Sequence, residues 1–476
     1  MDRLAVGGWR LAVLTPLPPA RTGVAHYASM LLPALRSAVA TVDAFDSLDD
    51  STTRRLDDYD AVIYQLGNNP HHELIYTEAM KRPGIVVLHD LVLHHLIVEM
   101  TLARGDADAY VAALEANHGA PGAAWARGRA AGLHSEMGNF LLPASVEVAQ
   151  RARSVIVHNQ YAHDRLRSFG VTTPIHVVPH PYVRETRDFP RVPSDKRVIG
   201  FFGFLTSAKR AEVVLEAFRI ARTRDPRLEL LIVGEPAPNI DASSFASDGV
   251  VMTGYVADDD FPRYYAIADR FVNLRYPSAG ETSGTLIRAL DAGKPVAVSD
   301  YAQFAELPDD VVFKVPLGVG EVEKLVEFFT SELPSPAEKQ RAWLEENAKL
   351  EKTVEGYLRA AFVSARESES GGVASALQMF PELELISVDP LVIKNVGDAT
   401  IRTRVYGEPE YRLIVKWFVG EAVVHDQWLA LPKDLHPGET VEIELQKRDA
   451  DTLRLYHALQ DIPMLEPEPW ETARVR

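Results

Sequence analysis

The stretch Val198–Gly234, VIGFFGFLTSAKRAEVVLEAFRIARTRDPRLELLIVG, decides the fold. VIGFFGF and LELLIVG are short apolar runs that read as buried strands, and AEVVLEAFRIART (Ala211–Thr223) reads as the helix between them. The alternation continues downstream with VVMTGYV, RFVNLRY, PVAVSD and VVFKVP. The helices FPRYYAIAD (Phe261–Asp269) and TLIRALDAG (Thr285–Gly293) separate them. Continuous apolar strands joined through helices predict a parallel sheet covered on both faces.

Upstream the same pattern occurs a first time. LAVLTP (Leu11–Pro16) is a strand ended by proline, followed by the helix VAHYASMLLPAL. AVIYQLG, GIVVLHD, SVIVHN and IHVVPHP follow as strands, with an Ala-rich, mostly helical region over Thr101–Arg153 that is broken by a loop at Gly119–Gly122. The polar, Pro-containing segment Glu185–Arg197 is a linker. The fold class is therefore α/β, with two doubly wound Rossmann-like lobes in tandem, closed by a helical tail over Pro336–Ser364. ESESGGVAS (Glu367–Ser375) has the composition of a flexible linker. Beyond it, LELISVDPLVIKNVGD, YRLIVKWFVG, VVHDQWLAL and ETVEIELQ alternate as strands, the pattern of a small antiparallel sandwich. The expected division is a first lobe over 1–190, a second over 191–366, and an Ig-like β-sandwich over 376–476.

Bulk composition narrows the functions. With 476 residues, 46% hydrophobic and 25% charged, the chain suits about three ordinary globular domains. The formal net charge of -17 argues against a nucleic-acid partner. Zero cysteines exclude disulfides, thiolate metal sites and a cysteine nucleophile, in keeping with a reducing cytoplasm. Met1–Gly8 carries Asp2 and Arg3 and does not read as a signal peptide. The most apolar long stretch, Gly84–Met100, is interrupted by His89, Asp90, His94, His95 and Glu99 and does not read as a membrane span.

Three segments carry chemistry, and each lies where a strand gives way to a helix, the place at which open α/β sheets bind ligands. In PLPPARTGVAHYA (Pro16–Ala28), Gly23 opens a helix whose amides can face a diphosphate or an acceptor; an ordinary βα turn is the competing reading. In FFGFLTSAKR (Phe201–Arg210), Gly203 ends a strand and Lys209 and Arg210 follow. Lys209 is a compact charge suited to a phosphate, unless the pair is only a solvated basic turn. In YPSAGETSGTLIRALDAGKPV (Tyr276–Val296), Glu281 stands in the loop, and the amides around Thr282, Ser283, Gly284 and Thr285 would cradle phosphate oxygens.

These segments resemble the GT-B glycosyltransferases, and among them the large retaining group called family 4, over roughly residues 10 to 365. The likeness rests on Gly23, on His89 in VVLHD, on the VIVHN and VVPHP strands, on the loop Gly203–Lys209, on Pro277–Glu281, and on the run Gly293–Val296. The resemblance implies that His89 sits beside the donor sugar and the reacting carbon, and that Lys209 binds the donor diphosphate. Glu281 would hold sugar hydroxyls, with Thr282, Ser283 and Gly284 offering amides to the phosphates. It further implies a nucleotide-sugar donor used as substrate, no cofactor and no catalytic metal. A glycan or lipid-linked acceptor in polysaccharide biosynthesis would follow, as would a cytoplasmic location with weak peripheral association at the inner face of the membrane. Two positions depart from the pattern. Phe204 stands where an arginine is usual, leaving Arg210 as the substitute, and Arg288 or Ala289 stands where a ribose-binding glutamate is usual. A non-catalytic binding protein and a GT-B epimerase are the rival readings.

Several other polar residues have two readings each. His71 and His72, with Asp90, are expected on the acceptor side, solvated loop histidines being the competing reading. His94 and His95 read as structural. Asp258, Asp259 and Asp260 precede a helix and read as an N-cap rather than a metal site. Tyr411, Leu413, Val415, Trp417 and Val419 share one face of a strand and read as core; Trp428 and Trp470 have no such explanation.

Overall fold

The computed structural model describes residues 8–20, 22–49, 55–133, 135–184, 195–237, 240–257, 260–367, 383–396, 401, 411–420, 422–445, 449–459 and 471–474. Two parallel six-stranded sheets account for the two expected lobes. The first comprises β1 (Arg10–Leu14), β2 (Thr41–Phe45), β3 (Ala61–Leu66), β4 (Ile85–Leu88), β5 (Ser154–Val157) and β6 (Ile175–Val177), in the order β2-β1-β3-β4-β5-β6. The second comprises β7 (Arg197–Phe202), β8 (Leu228–Val233), β9 (Val250–Met252), β10 (Arg270–Asn273), β11 (Val296–Ser299) and β12 (Phe313–Val315), in the order β12-β11-β10-β7-β8-β9. Strand order reverses between β1 and β3 in one sheet and between β7 and β10 in the other. A crevice opens at such a reversal, at the carboxyl ends of the strands.

The strands read as unbroken apolar runs because both faces are covered. Tyr64 and Leu66 of β3 pack into one cluster with Tyr76, Leu96 and Tyr110, while Ile63 of the same strand packs with Tyr27, Leu31 and Leu35 on the opposite face. The first helix, Gly23–Ala38, buries Val24, Tyr27, Ala28, Leu31 and Leu35, spacings of three and four that place them on one face. In the Ala-rich region, the helix Ala107–Ala130 is kinked at Gly119, inside the loop read from sequence.

The helical tail is two helices, Ala337–Asn347 and Leu350–Glu367. The second returns to the first lobe, where Val354, Tyr357, Ala360 and Ala361 join the cluster around Tyr27 and Ile63. Loops also join the lobes directly. Val92 N donates to Ala279 O (3.1 Å), Asn159 Nδ2 to Gly280 O (2.9 Å), and the Glu306 carboxylate accepts from Gln160 N (3.1 Å) and Tyr161 N (2.5 Å) at the start of the helix Gln160–Ser168. Gly280 makes this docking feasible. Its φ is +73°, and a Cβ there would lie 2.7 Å from Leu91 Cβ of the other lobe.

The C-terminal region forms two antiparallel sheets. One holds β13 (Leu383–Val388), β14 (Leu391–Asn395) and β17 (Thr440–Ile443). The other holds β16 (Ala422–Ala430), β15 (Tyr411–Val419), β18 (Thr452–Leu459) and β19 (Glu471–Arg474). Leu391, Ile393 and Val441 of the first share one core with Leu413, Val415, Trp417 and Leu455 of the second, so the sheets pack face to face. The expected stripe holds for Leu413, Val415 and Trp417, but Val419 is 48% exposed. A register shift between Trp417 and Phe418 interrupts the alternation before Val419 is reached. The side chains of Tyr411, Trp428 and Trp470 lie outside the described residues.

Candidate functional site

A cleft of about 2030 Å³ lies between the lobes and is lined by strand-end loops of both sheets. Eleven of the site residues singled out from the sequence border it: Gly23, His71, His89 and Asp90 from the first lobe, with Gly203, Lys209, Glu281, Thr282, Ser283, Gly284 and Thr285 from the second. They converge because each follows the carboxyl end of its strand or opens the helix after it.

On the second-lobe wall, the loop after β7 turns at Gly203, with φ of +88°. A Cβ at this position would lie 2.6 Å from Lys209 Nζ, so only glycine leaves the ammonium its place. Lys209 is buried and donates to Phe202 O at 2.6 Å. Burial, and secondarily the Arg275 guanidinium, push its ammonium well below the usual lysine range, and Glu281 opposes the shift. Helix Gly284–Asp291 begins beside it. Ser283 is its N-cap, with Oγ accepting from Leu286 N at 3.3 Å, and the hydroxyls of Ser283 and Thr285 both reach Asn273 Oδ1 (3.1 and 3.2 Å). Asn273 at the end of β10 thereby fixes the helix start, whose first amides have no intrahelical acceptor.

Glu281 is held by four groups. Oε1 accepts from Arg275 Nε at 2.8 Å, Oε2 accepts from Ala279 N at 3.1 Å and from Ser278 Oγ at 3.4 Å, and Gln303 Nε2 donates to its main-chain oxygen at 2.7 Å. Arg275 carried no signal in the sequence reading. Only its place just past a strand end, in LRYP, pointed toward the cleft.

On the first-lobe wall, His89 follows β4 and packs edge-on to Tyr27 at a centroid separation of 4.5 Å. Its proton is assigned by neighbours. Val178 O accepts from His158 Nδ1 (2.9 Å), so neutral His158 presents a bare Nε2 to His89 Nδ1 at 3.3 Å. His89 then carries its proton on Nδ1, and its buried Nε2, a lone-pair acceptor, has no partner among the described residues. Burial is the main force keeping His89 neutral, with His158, His180 and His72 adding to it. Asp90 accepts from Asn68 N at 2.8 Å. Burial first, and then the charge of Glu281, push its carboxyl up to about 7.

Two expected residues are elsewhere. Arg210 does not border the cleft: its Nε and Nη2 pair with both oxygens of Glu321 (2.7 and 2.5 Å), a carboxylate only 2% exposed. A buried carboxylate needs such a partner, and the left-handed backbone at Arg210 (φ +57°) accompanies that placement. His72 is buried beneath the loop after β3, its Nδ1 donating to Gln65 O at 2.9 Å, so of the pair only His71 meets the cleft. His94 and His95 divide likewise. His94 is buried between Leu142 O (2.5 Å) and Tyr110 Oη (2.6 Å), whereas His95 borders the cleft with Met137 and Phe140. Adjacent helical residues point about 100° apart, so one structural and one lining histidine is the natural outcome. Arg288 borders the cleft and lies 3.3 Å from His26 of the opposite lobe, Nη2 to Nε2; Ala289 is buried. Asp260 occupies the N-cap position of helix Phe261–Ile267, but its carboxylate lies against Arg263 at 3.5 Å and caps no amide. Asp258 and Asp259 lie outside the described residues. Among the described residues, no cluster of three histidine or carboxylate side chains is arranged to hold a metal. Nor, among them, is any helix long and apolar enough to cross a membrane.

Two doubly wound lobes opposed across a cleft define the GT-B class of fold. Residues 196–327, within the second lobe, match the family model described as Glycosyl transferases group 1. Over 153 residues the chain is 30% identical to mannosylfructose-phosphate synthase of Agrobacterium fabrum, a match covering 26% of this chain and 32% of that protein. The chain thus spans about a third of that relative's length. Among solved structures, it is similar to HepE of Anabaena in complex with UDP and glucose (TM-score 0.48, 14% identity, 74% of this chain and 98% of that one). It is also similar to sucrose-phosphate synthase of Thermosynechococcus elongatus (TM-score 0.44, 14% identity, 76% and 98%).

Proposed function

We propose that the protein is a glycosyltransferase moving a hexosyl group from a nucleotide-sugar donor to an acceptor hydroxyl, with retention, in glycan or polysaccharide biosynthesis. The observation that carries the reading is the meeting of Lys209, the start of helix Gly284–Asp291 and Glu281 on one wall with His89 and Asp90 on the other. The group 1 domain over residues 196–327 supports it. In the reaction, the bond between the anomeric carbon and the diphosphate oxygen breaks, and its electron pair leaves with that oxygen. The acceptor hydroxyl oxygen bonds the carbon, and its proton passes to a leaving phosphate oxygen. Lys209 and the helix amides stabilise the charge growing on the diphosphate, the task a metal ion would otherwise perform. Glu281 positions sugar hydroxyls, and the bare Nε2 of His89 is suited to accept a hydroxyl hydrogen rather than to donate one. Closure of the lobes excludes water. The same reading carries the acceptor as a glycan or lipid-linked molecule met at the inner face of a membrane.

The test is a thermal-shift screen of nucleotide sugars and free nucleotides on the wild type and Lys209→Ala. One nucleotide sugar should raise the unfolding temperature by mass action, and the shift should vanish in the variant. No shift with any of them would sink the reading.

A second reading has one observation of its own. Asp90, with its carboxyl held near 7 beside the cleft, is suited to proton transfer, which a GT-B epimerase releasing free nucleotide would need. Nucleotide release that proceeds without acceptor and depends on Asp90 would favour it.

A further inference from the structure

Arg275 is a cation that the fold carries into the cleft from the end of β10. It is 9% exposed, and its hydrogen bonds are few and specific. Nε donates to Glu281 Oε1 at 2.8 Å, Nη1 donates to Leu274 O at 2.9 Å, and the main-chain N donates to Ser299 Oγ at 2.9 Å. Nη2 takes part in no hydrogen bond among the described residues. Arg275 borders the cleft together with Lys209 and the start of helix Gly284–Asp291. A guanidinium so far removed from water, with one nitrogen left over at a cavity wall, calls for an anion there.

The charges around it point the same way. Glu281 and Asp90 both border the cleft, and an unpaired carboxylate would repel any phosphate entering it. The ion pair with Arg275 offsets part of the charge of Glu281, and burial next to Arg275 makes the Lys209 ammonium costly to hold while the cleft is empty. Two buried basic groups sharing a single carboxylate make their joint protonation costly while the cleft is empty and favourable once an anion binds. Phe204, in the loop after Gly203, offers no charge from its side of the cleft, and Arg210 is spent on Glu321.

We propose that Arg275 is a direct ligand of the donor's diphosphate and the second cation, beside Lys209, that stabilises it as the leaving group. The inference rests on the nucleotide-sugar reading above. As the anomeric C–O bond breaks and its electron pair moves to the phosphate oxygen, the planar guanidinium donates from Nη2 to that charge while Nε keeps Glu281 in place. One side chain thus serves the leaving group and orients the carboxylate that holds the sugar.

A double-mutant cycle on the full-length protein separates direct contact from mere support of Glu281. UDP, GDP, ADP and inorganic pyrophosphate are the probes, titrated calorimetrically against wild type, Arg275→Met, Glu281→Gln and the double variant. Direct contact predicts that Arg275→Met weakens the bound probe about tenfold to a hundredfold. The same loss should appear in the Glu281→Gln background, and Arg275→Lys should recover part of it. Urea unfolding of each variant shows whether it is folded, and Arg275→Lys serves if the methionine variant is not. If the loss disappears in the Glu281→Gln background while Lys209→Ala still abolishes binding, Arg275 only positions Glu281. The inference then falls and the transferase reading stands. If the wild type binds none of the four probes, both fall.

Discussion

Tyr27, on the first helix, and Tyr357, on the last, share a 2.9 Å hydrogen bond between buried hydroxyls. Gln65 Nε2 donates to the Tyr357 oxygen at 3.3 Å, and Gln65 Oε1 accepts from Thr15 Oγ1 at 2.8 Å. This chain of polar groups runs from the end of β1 to the closing helix, beside the ring of His89. It fastens the end of the two-lobed region onto the lobe where the chain began.

Tyr357→Phe leaves the Tyr27 hydroxyl and the Gln65 amide each short of a partner in a dry place. The expected cost is about 1 to 3 kcal/mol of stability, read from urea unfolding. A variant as stable as the wild type would show that the hydroxyl pair contributes nothing.

Gly203→Ala forces a side chain into a left-handed turn and against Lys209 Nζ. Nucleotide binding should be lost to nearly the degree seen in Lys209→Ala, with about 1 kcal/mol or more of stability lost for the backbone strain alone. Undiminished binding would mean that Lys209 need not occupy the place it holds here.

Five largely desolvated histidines predict how stability changes with acid. Burial is the leading cause in each case. It lowers His72 and His158 to about 4, and His94, His118 and His180 to about 3, from 6.5. The unfolded chain therefore binds protons at a higher pH than the folded one. Stability is fully present above about pH 6.5 and falls as pH drops from there toward 4 and below, by about 1.4 kcal/mol per pH unit for each histidine. Unfolding temperatures measured between pH 7.5 and 5 should drop steeply. A flat profile would contradict the burial of these rings.

Asp90 behaves in the opposite sense. Its carboxyl is raised from 3.8 to about 7, so its contribution to stability is present below 3.8 and lost as pH rises through 7. Asp90→Asn should be more stable than the wild type at pH 8. Protonation also removes a negative charge beside the cleft, so pyrophosphate should bind the wild type more tightly at pH 6 than at pH 8. That gain should be smaller in Asp90→Asn, and an equal pH dependence in both proteins would place the titrating group elsewhere.

The sequence alone determined the two parallel sheets and which strand ends border the cleft between them. Runs such as IVVL and LLIV are apolar on both faces, and helices cover them, so the pattern is local and survives without knowledge of the partners. Gly203, Lys209, Glu281 and His89 were legible because each follows the end of such a run, and doubly wound sheets gather strand ends at one edge. Which polar side chains face the cleft was decided only by the tertiary structure. Arg210 looked like a second phosphate ligand beside Lys209 until Glu321, 111 residues away, claimed it. Arg275 looked ordinary until Glu281 and Leu274 O fixed it at the cleft wall. Whether His71 or His72, and His94 or His95, borders the cleft depends on which imidazole finds a buried acceptor such as Gln65 O or Leu142 O. The closing helix likewise seats on the first lobe because Tyr357 meets Tyr27 there. Apolar periodicity is written in neighbouring residues. The pairing of a buried charge or imidazole is settled by whatever the fold brings within about 3 Å of it, and that distance has no image in a linear sequence.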